Sequence, residues 1–336
     1  MRYIIATLAS HSCLQILKGA KDEGFRTMAI AIENKVSFYK RFKFIDEVIG
    51  IPDYKQFYLL ENRLKRKNII IIPHGSFVAY LGKEGDEKIT LPYFGNKKIL
   101  EIEADRDKQH DWFKKSGLLL PRMYKNIEDV DKAVIVKYHG AQGGYGYFLS
   151  PDKNTLKTKL SKNKSLNSKI FLQEYIVGVP IYLQYFFSPL DNKIELMGID
   201  RRYETNIDGL GRIPAYMQSK MNIIPSFTVV GNFPIVVRES LLPSIYEMGE
   251  KVVETAKEIA GPKGLYGPFC LETVVTSDQQ FYVIEISCRI VAGTNLFISG
   301  SQYTDLSYGE PISTGRRIAR EIKKAIKLKQ LDKILD

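Results

Sequence analysis

The sequence predicts an α/β architecture at the N-terminus of the chain and an α+β architecture in the rest. Three observations support this prediction. Strands and helices alternate through the first hundred residues, strands come in pairs from Ala133 onward, and a hairpin-like segment near the C-terminus lies between two helices. Alternation is typical of an open, mostly parallel sheet, whereas paired strands are typical of antiparallel units.

The N-terminal elements follow from hydrophobic periodicity and turn residues. In chain order we predict a strand at RYIIATLA, a helix at SCLQILKGAKDEGF, a strand at TMAIAI, a helix at YLLENRLKRK and a strand at NIIIIP. LPYFG at 91–95 is predicted to be the last strand of this sheet, and a helix at ADRDKQHDWFKKSG leads away from it.

The second region is predicted from paired apolar runs. Its strands are AVIVK, YFLS, IFLQEYI and PIYLQYFFS, and a glycine-rich loop separates the first two. Further strand and loop segments follow Ile199. The helix LPSIYEMGEKVVETAKEIA, a hairpin at 267–293 and the helix STGRRIAREIKKAIK complete the chain.

Composition excludes several classes of protein. The chain has 336 residues, 44% of them hydrophobic, and its three cysteines, Cys13, Cys270 and Cys288, suggest neither a disulfide framework nor a metal knuckle. The net charge is +11, but the densest basic run, 153–169, lacks aromatic residues, so we predict a solvated face rather than a nucleic-acid site. Without a secretory segment or an apolar run of about 18 residues, a cytoplasmic protein is expected, with no membrane partner.

The hairpin carries two carboxylates in apolar surroundings. If its turn is centred on Asp278 and Gln279, Glu272 lies opposite Glu285, with Cβ atoms about 4.5–5.5 Å apart. Facing carboxylates repel each other unless a hard cation such as Mg²⁺ binds both. Alternation puts Arg289 on the face of Glu285, where it could clamp a phosphate, and puts Ile284 and Ile286 on the other. A solvent-exposed hairpin face is the alternative.

A glycine-rich loop at 134–149, VIVKYHGAQGGYGYFL, lies between two strands. Walker and dinucleotide-binding loops precede helices, so neither fits. We predict a lid over a nucleotide, in which Lys137 closes the first strand and the backbone of the glycine loop can approach phosphates closely. An ordinary mobile hairpin is the alternative. The linker QEYIVGVP at 173–180 offers backbone groups to an adenine edge.

Two segments, ASHS at 9–12 and PHGSF at 73–77, each follow a strand and precede a helix. They place Ser10, His11, His74 and Ser76 at helix N-termini, where backbone amides favour anions. Helix capping by serine is the alternative for either segment alone. Two such segments on neighbouring strands favour a phosphate-bearing substrate. The sequence contains neither GxSxG nor HExxH, so hydrolase and zinc-enzyme interpretations have little support.

The order of these parts resembles the ATP-grasp ligases, which have an N-terminal open α/β (pre-ATP-grasp) domain. Within that class, eight segments are similar to the archaeal formate-dependent FAICAR synthetases, the PurP family. They are ATLASHS, GSFVAYLG, PYFGNKK, IDRRYETN, GRIPA, VGNFPIVVRESLL, GPFCLE and RIVAGTN. The resemblance implies a pre-ATP-grasp domain at 1–95 and an ATP-grasp domain at 96–336, divided into a nucleotide lid at about 122–188 and a catalytic part at 189–336.

The resemblance also implies a reaction: formate, ATP and AICAR give FAICAR, ADP and phosphate in purine biosynthesis, with formyl phosphate as intermediate. It implies Mg²⁺ or Mn²⁺ as cofactor and assembly into trimers or hexamers. The residues implied are Glu272 and Glu285 for the metal; Lys137, Gly143, Gly144, Glu174, Tyr175, Ile176 and Glu204 for ATP; His11, Ser76 and Asn232 for AICAR; and Lys137 and Arg289 as catalytic groups that steady the phosphates.

Some residues depart from the family pattern. The lid has Tyr138, Gln142 and Tyr145 where the family tends to have a proline and two lysines, and Ser287 stands where many ATP-grasp enzymes have asparagine. The lid lacks two cations expected near the triphosphate. Two alternatives therefore stay open: an ATP-grasp ligase for another small acid and amine, and a nucleotide-binding protein without catalysis.

Overall fold

A computed structural model describes residues 3–82, 88–138, 147–162, 170–221, 223 and 226–336. The strands are β1 (Ile4–Leu8), β2 (Arg26–Ile32), β3 (Glu47–Ile51), β4 (Ile69–Ile71), β5 (Met123–Tyr124), β6 (Val134–Tyr138), β7 (Tyr147–Ser150), β8 (Ile170–Glu174), β9 (Val179–Ser188), β10 (Lys193–Asn206), β11 (Phe227–Pro234), β12 (Gly267–Val275) and β13 (Phe281–Ser287). The helices are α1 (Cys13–Asp22), α2 (Val36–Tyr39), α3 (Glu61–Lys65), α4 (Phe77–Leu81), α5 (Lys97–Glu103), α6 (Arg106–Lys115), α7 (Lys153–Lys162), α8 (Ile207–Leu210), α9 (Ala215–Met221), α10 (Leu242–Ala260), α11 (Gln302–Tyr308) and α12 (Thr314–Leu328).

The N-terminal sheet is parallel, with strand order β3-β2-β1-β4. Every residue of β1 and β4 is buried, as expected for strands covered on both faces. The predicted open α/β sheet is therefore confirmed, although β3 is an additional strand. The segment 91–95 is not the predicted strand: it makes only isolated bridges, Tyr93 with Ile71 and Phe94 with Leu335.

The largest sheet is antiparallel, with strand order β11-β10-β9-β12-β13. One of its faces is apolar and lies against α10. On that side the Tyr185 hydroxyl donates to the Ile245 carbonyl at 2.8 Å, and the Trp112 indole of α6 donates to the Val252 carbonyl at 3.1 Å. These bonds satisfy the polar atoms of two large buried aromatic residues while their rings fill the core.

The opposite face of this sheet is polar, and α12 covers part of it. Arg317 of α12 forms ion pairs with Glu195 of β10 at 2.6 Å and with Glu321 at 2.8 Å. All three side chains are at most 5% exposed. Ser188 also donates to Glu321, so the buried charges are both paired and hydrogen-bonded. The rest of the polar face is left for the candidate site.

A smaller sheet, with order β5-β8-β6-β7, has a hydrophobic core of its own. Its core includes Val134, Val136, Leu156 and Leu172. The sequence groups PIYLQYFFS with this unit, but the structure puts that segment, β9, in the five-stranded sheet. Domain boundaries stay a prediction. Within the described ranges, no helix is long and apolar enough to cross a membrane.

Close packing of α1 against α12 joins the N-terminal sheet to the end of the chain. A Cβ atom added to Gly19 would lie 2.1 Å from the Arg316 backbone nitrogen, and one on Gly315 would lie 2.3 Å from the Gln15 carbonyl oxygen. The two helices approach backbone to backbone because both residues are glycine.

This contact predicts that Gly19→Ala destabilises the protein. Alanine favours a helix over glycine by about 1 kcal/mol, but the added methyl meets backbone, and overpacking costs about 1–3 kcal/mol or more. Thermal unfolding should show a lower midpoint. Gly209→Ala in α8 is the matched control, because nothing lies within 4 Å of its added Cβ. Equal midpoints for the two variants would contradict the prediction.

Candidate active site

Glu272 of β12 and Glu285 of β13 face each other across the hairpin, as the sequence predicts. The route to this register differs from the prediction. Near the turn, Thr273 pairs with Val283 and Val275 pairs with Phe281. This pairing is symmetric about Asp278 and not about the midpoint of Asp278 and Gln279. A β-bulge then adds one residue on β13 and brings the two glutamates opposite each other.

The bulge also corrects the predicted faces of β13. Phe281 and Val283 are buried before it, and Ile286 is buried after it, so the alternation of buried residues shifts by one. Ile284 is the extra residue and is only half-buried, so it does not continue the regular alternation with Ile286. Because of the shift, Glu285 lies on the polar face while Ile286 enters the core.

The two glutamates belong to a row of side chains that crosses the sheet. Glu272 pairs with Tyr182 of β9, which pairs with Asp200 of β10. Directly opposed residues in an antiparallel sheet point to the same face. Glu285, Glu272, Tyr182 and Asp200 therefore lie side by side on the polar face, beyond the part that α12 covers.

Arg202 is the arginine beside the two facing glutamates, and the sequence analysis did not single it out. It lies two residues after Asp200 on β10, donates a hydrogen bond to Glu272, and its guanidinium carbon is 3.9 Å from the centre of the Tyr182 ring. Stacking and ion pairing hold the guanidinium in one place. Arg202 is therefore fixed beside the carboxylate pair.

The electrostatics of Glu272 fit a bound cation. Burial raises the pKa of this carboxyl, the Arg202 guanidinium opposes that rise, and the Glu285 carboxylate adds to it. A divalent cation between the carboxylates would relieve their repulsion. In the part of the chain that the structure describes, no group of three or more His, Cys, Asp or Glu side chains could hold a metal. The remaining ligands would come from a substrate or from water.

His11 and Ser76 meet at the carboxyl ends of β1 and β4. The Ser76 hydroxyl lies 2.9 Å from His11 Nδ1, and the His11 ring stacks on the His74 ring with centroids 5.7 Å apart. Ser10 links this pair to Tyr80, because the hydroxyl oxygens of Ser10 and Tyr80 are 2.7 Å apart. Two segments far apart in sequence therefore form one cluster at this edge of the sheet, and its role in substrate binding stays a prediction.

His74 supports the cluster from beneath. It is fully buried, its Nε2 lies 3.0 Å from the Leu8 carbonyl, and its Nδ1 accepts a bond from the Ser76 backbone N–H at 3.3 Å. Only the neutral tautomer with hydrogen on Nε2 satisfies both contacts. Burial is the main cause that lowers the pKa of His74 to about 3. The hydrogen bond to the Leu8 carbonyl raises this pKa, and the nearby His11 and Arg289 lower it further.

Arg289 lies at the junction of the two sheets. Its guanidinium donates to Glu103 of α5 and, at 3.0 Å, to the Gly75 carbonyl, and its Nε is a buried donor without a partner among the described residues. Burial lowers the pKa of His11, and the charge of Arg289 lowers it further. The structure therefore places this predicted catalytic arginine beside the loop of His11 and Ser76.

The segment that follows Arg289 holds the same loops. The Gly75 backbone N–H donates to the Ile290 carbonyl at 3.0 Å, and Asn295 donates to the His11 carbonyl at 3.0 Å. The second bond steadies a residue with positive φ, 44° at His11. We call residues 289–295 the connecting segment, because it joins the hairpin to the N-terminal cluster.

Asn232 and Glu204 lie at the other side of the polar face. Asn232 of β11 pairs with Arg202 in the sheet, and its side-chain amide donates to Asp200 at 2.7 Å. Glu204 follows Arg202 by two residues on β10, and burial raises the pKa of its carboxyl. Both residues therefore border the face that holds Glu272.

The predicted nucleotide lid is only partly described. Lys137 lies on β6, where the structure describes the backbone alone, and Gly143 and Gly144 lie outside the described residues. The predicted hinge, Glu174, Tyr175 and Ile176, connects the small sheet to β9. The Glu174 carboxylate is 2.5 Å from the Lys132 ammonium and accepts from the Arg122 backbone, so it fastens the hinge to its own sheet.

Sequence reasoning missed Asp200, Arg202 and Glu103 in the site. A signal for two of them was present, because Asp200, Arg202 and Glu204 alternate along one strand and must share a face. Glu103 had no such signal: it reaches Arg289 only through tertiary packing.

Comparisons with known proteins agree with this geometry. Residues 5–124 match a family model described as "Protein of unknown function (DUF1246)", and residues 148–336 match one described as "Domain of unknown function (DUF1297)". The N5-carboxyaminoimidazole synthetase of Staphylococcus aureus, solved with ADP, has a TM-score of 0.62 at 16% identity, covering 89% of this chain and 74% of its own. The architecture is that of the ATP-grasp fold.

Two closer relatives identify the family. A protein of Pyrococcus abyssi named 5-formaminoimidazole-4-carboxamide-1-(beta)-D-ribofuranosyl 5'-monophosphate synthetase is 50% identical over 98% of both chains. The crystal structure of the IMP biosynthesis protein PurP from Thermococcus kodakaraensis has a TM-score of 0.79 at 32% identity, covering 99% of this chain and all of its own. The chain belongs to this family, the PurP-type FAICAR synthetases.

The environment of His74 predicts that its ring stays neutral in acid. Long-range ¹H–¹⁵N spectra should show the Nε2–H tautomer down to about pH 4.5, because its pKa lies near 3. Single histidine variants assign the signals. In the unfolded chain this histidine gains a proton below its ordinary value of 6.5, so its contribution to stability is present above that pH and is lost as pH falls. A His74 signal that titrates near pH 6.5 would contradict the buried arrangement.

Proposed function

We propose that the chain catalyses the ATP-dependent formylation of AICAR by formate, releasing FAICAR, ADP and phosphate. The observation that carries this proposal is the geometry of the site: the facing carboxylates Glu272 and Glu285 are connected through residues 289–295 to the His11–Ser76 cluster. Such a site can place a nucleotide's phosphates next to a second substrate. The names of the full-length relatives support the same reaction.

In this proposal the substrates divide between the two sides of the connecting segment. AICAR contacts His11 and Ser76 at the strand ends of the N-terminal sheet and Asn232 on β11. ATP lies between the small sheet and the polar face. Its adenine contacts the hinge residues Glu174, Tyr175 and Ile176, and Glu204 also contacts the nucleotide. Its phosphates lie near Lys137, Gly143 and Gly144. Arg289 lies beside the His11–Ser76 cluster, where the formyl group would be transferred to AICAR.

Glu272 and Glu285 would hold Mg²⁺ or Mn²⁺. Two acidic oxygen donors on one face of the sheet suit a hard divalent cation, which would supply charge neutralisation to the triphosphate when bound. The pairing of β12 with β13 keeps the two carboxylates opposite each other. Arg202 keeps Glu272 oriented and adds a fixed positive charge for the oxygens of the transferred phosphoryl group.

The chemistry needs positioning more than a protein nucleophile. A formate oxygen attacks the γ-phosphorus of ATP, the bond to the bridging oxygen breaks, and ADP leaves. The AICAR amine then attacks the formyl carbon, the carbon–oxygen bond to phosphate breaks, and the amine loses a proton as the amide forms. Holding the substrates together makes both steps effectively unimolecular. This two-step route is part of the proposal.

The first prediction of this proposal is that ADP release requires formate and AICAR together. Purified protein with ATP and Mg²⁺ should release ADP rapidly only when both are present, and the product should carry one formyl group by mass spectrometry. Omitting each substrate in turn is the control. ADP release with a different acid and amine alone would favour the alternative ligase, whereas binding of ATP and AICAR without product would favour a protein without catalysis.

The second prediction concerns the carboxylate pair. Glu285→Gln removes one anionic ligand, so kcat should fall by about 100-fold or more and Mn²⁺ should bind the ADP complex more weakly, measured by water proton relaxation. The unfolding midpoint should stay close to that of the unaltered protein. Glu250→Gln, an exposed acid on α10, is the matched control and should change neither quantity. Wild-type activity with wild-type Mn²⁺ affinity in Glu285→Gln would rule out the metal role.

A further inference from the structure

Asp200 is a buried carboxylate whose role the proposed reaction leaves unassigned. It is 1% exposed and lies at the end of the row that contains Glu272. One of its oxygens accepts from the Gln184 amide at 2.6 Å, and the other accepts from the Asn232 amide at 2.7 Å. Each oxygen is therefore held by a neutral side chain from a neighbouring strand.

The connecting segment closes over this carboxylate. A Cβ atom added to Gly293 would lie 2.6 Å from one Asp200 oxygen and 2.7 Å from the other. Only a residue without a side chain can lie against Asp200 at this distance. The carboxylate is thus confined between the sheet and the backbone of Gly293, and its two amide partners are confined with it.

The charge of Asp200 determines how the Asn232 amide is turned. A carboxylate only accepts hydrogen bonds, so the Asn232 NH₂ group must face it, and Oδ1 must point the other way. An isolated asparagine could present either its donor or its acceptor to a ligand. In Asn232 the bond to Asp200 fixes Oδ1 on the far side from the carboxylate, so the oxygen and the NH₂ group cannot exchange places.

We propose that Asp200 is a positioning residue that fixes the Asn232 amide so that its Oδ1 accepts a hydrogen bond from an N–H or O–H group of the purine substrate. This inference rests on the proposed function, in which Asn232 contacts AICAR. It adds a rule of selectivity: the group that meets Asn232 is a donor, such as an amine, a carboxamide NH₂ or a ribose hydroxyl. A ligand with only acceptors there would face the Asn232 oxygen and the Asp200 charge behind it.

The chain offers a test by exchange of the two side chains. In Asp200→Asn the carboxylate that orients the Asn232 amide is lost, so the oxygen and the NH₂ group of Asn232 can exchange places. In Asn232→Asp two carboxylates face each other. In the double variant, the amide introduced at position 200 can accept from Gln184 and donate to the carboxylate introduced at position 232. The second oxygen of that carboxylate again accepts from the ligand. The exchange therefore restores the acceptor and keeps the hydrogen bonds of position 200 to Gln184 and to position 232.

We expect Asp200→Asn to raise the Kd of AICAR, measured by calorimetry, and its KM by about tenfold, the effect of one lost hydrogen bond, while the KM values of ATP and formate stay within about twofold. Asn232→Asp should bind AICAR more weakly still, and the double variant should bind it more tightly than Asn232→Asp by about tenfold. Glu195→Gln is the matched control. It alters an equally buried carboxylate on the same strand, so it should lower the unfolding midpoint without changing the affinity for AICAR.

The outcomes separate this inference from the proposed function. If the unaltered protein binds no AICAR, both are overturned. If it binds AICAR and Asp200→Asn binds it equally well, the inference alone is overturned. If Asp200→Asn does not fold, the comparison of the double variant with Asn232→Asp decides, and equal affinities for those two overturn the positioning role.

Discussion

The connecting segment, residues 289–295, is the constraint on which the rest of the site depends. It contacts the N-terminal sheet through the carbonyls of Gly75 and His11 and contacts the five-stranded sheet through Gly293 and the Asp200 carboxylate. Because it follows β13 directly, the position of the carboxylate pair and that of the His11–Ser76 cluster are set by one short stretch of backbone. A shift in either sheet would strain the segment, so both halves of the site are held in one geometry.

Much of the fold follows from periodicity in the sequence. The parallel N-terminal sheet, α10, α12 and the β12–β13 hairpin lie where the apolar patterns predict them. Several features were not predicted, among them the strand β3. The segment 91–95 looks like a strand but forms only single bridges, and β9 belongs to the larger sheet although its neighbours in sequence belong to the smaller one. Pairing between distant strands is decided by tertiary packing, which local patterns do not contain.

The candidate site shows the same limit at the level of side chains. Opposed glutamates were predictable, because pairing in a hairpin is nearly symmetric about its turn. The bulge at Ile284 was not, since any residue of a strand can be the extra one, and it corrects an off-centre turn. The partners of Arg289 and Asn232 were also hidden: Glu103 and Asp200 are separated from them by 186 and 32 residues. Sequence motifs therefore single out candidate ligand-binding residues more readily than the residues that fix their positions.

Two charge clusters on the polar face show what distinguishes a site from a structural network. Each contains one arginine and two glutamates: Arg317 with Glu195 and Glu321, and Arg202 with Glu272 and Glu285. In the first, Arg317 pairs with both acids, all three are buried, and α12 covers them. In the second, Arg202 pairs with Glu272, while Glu285 is exposed. The same composition is therefore closed off in one place and accessible in the other, and the covering helix makes the difference.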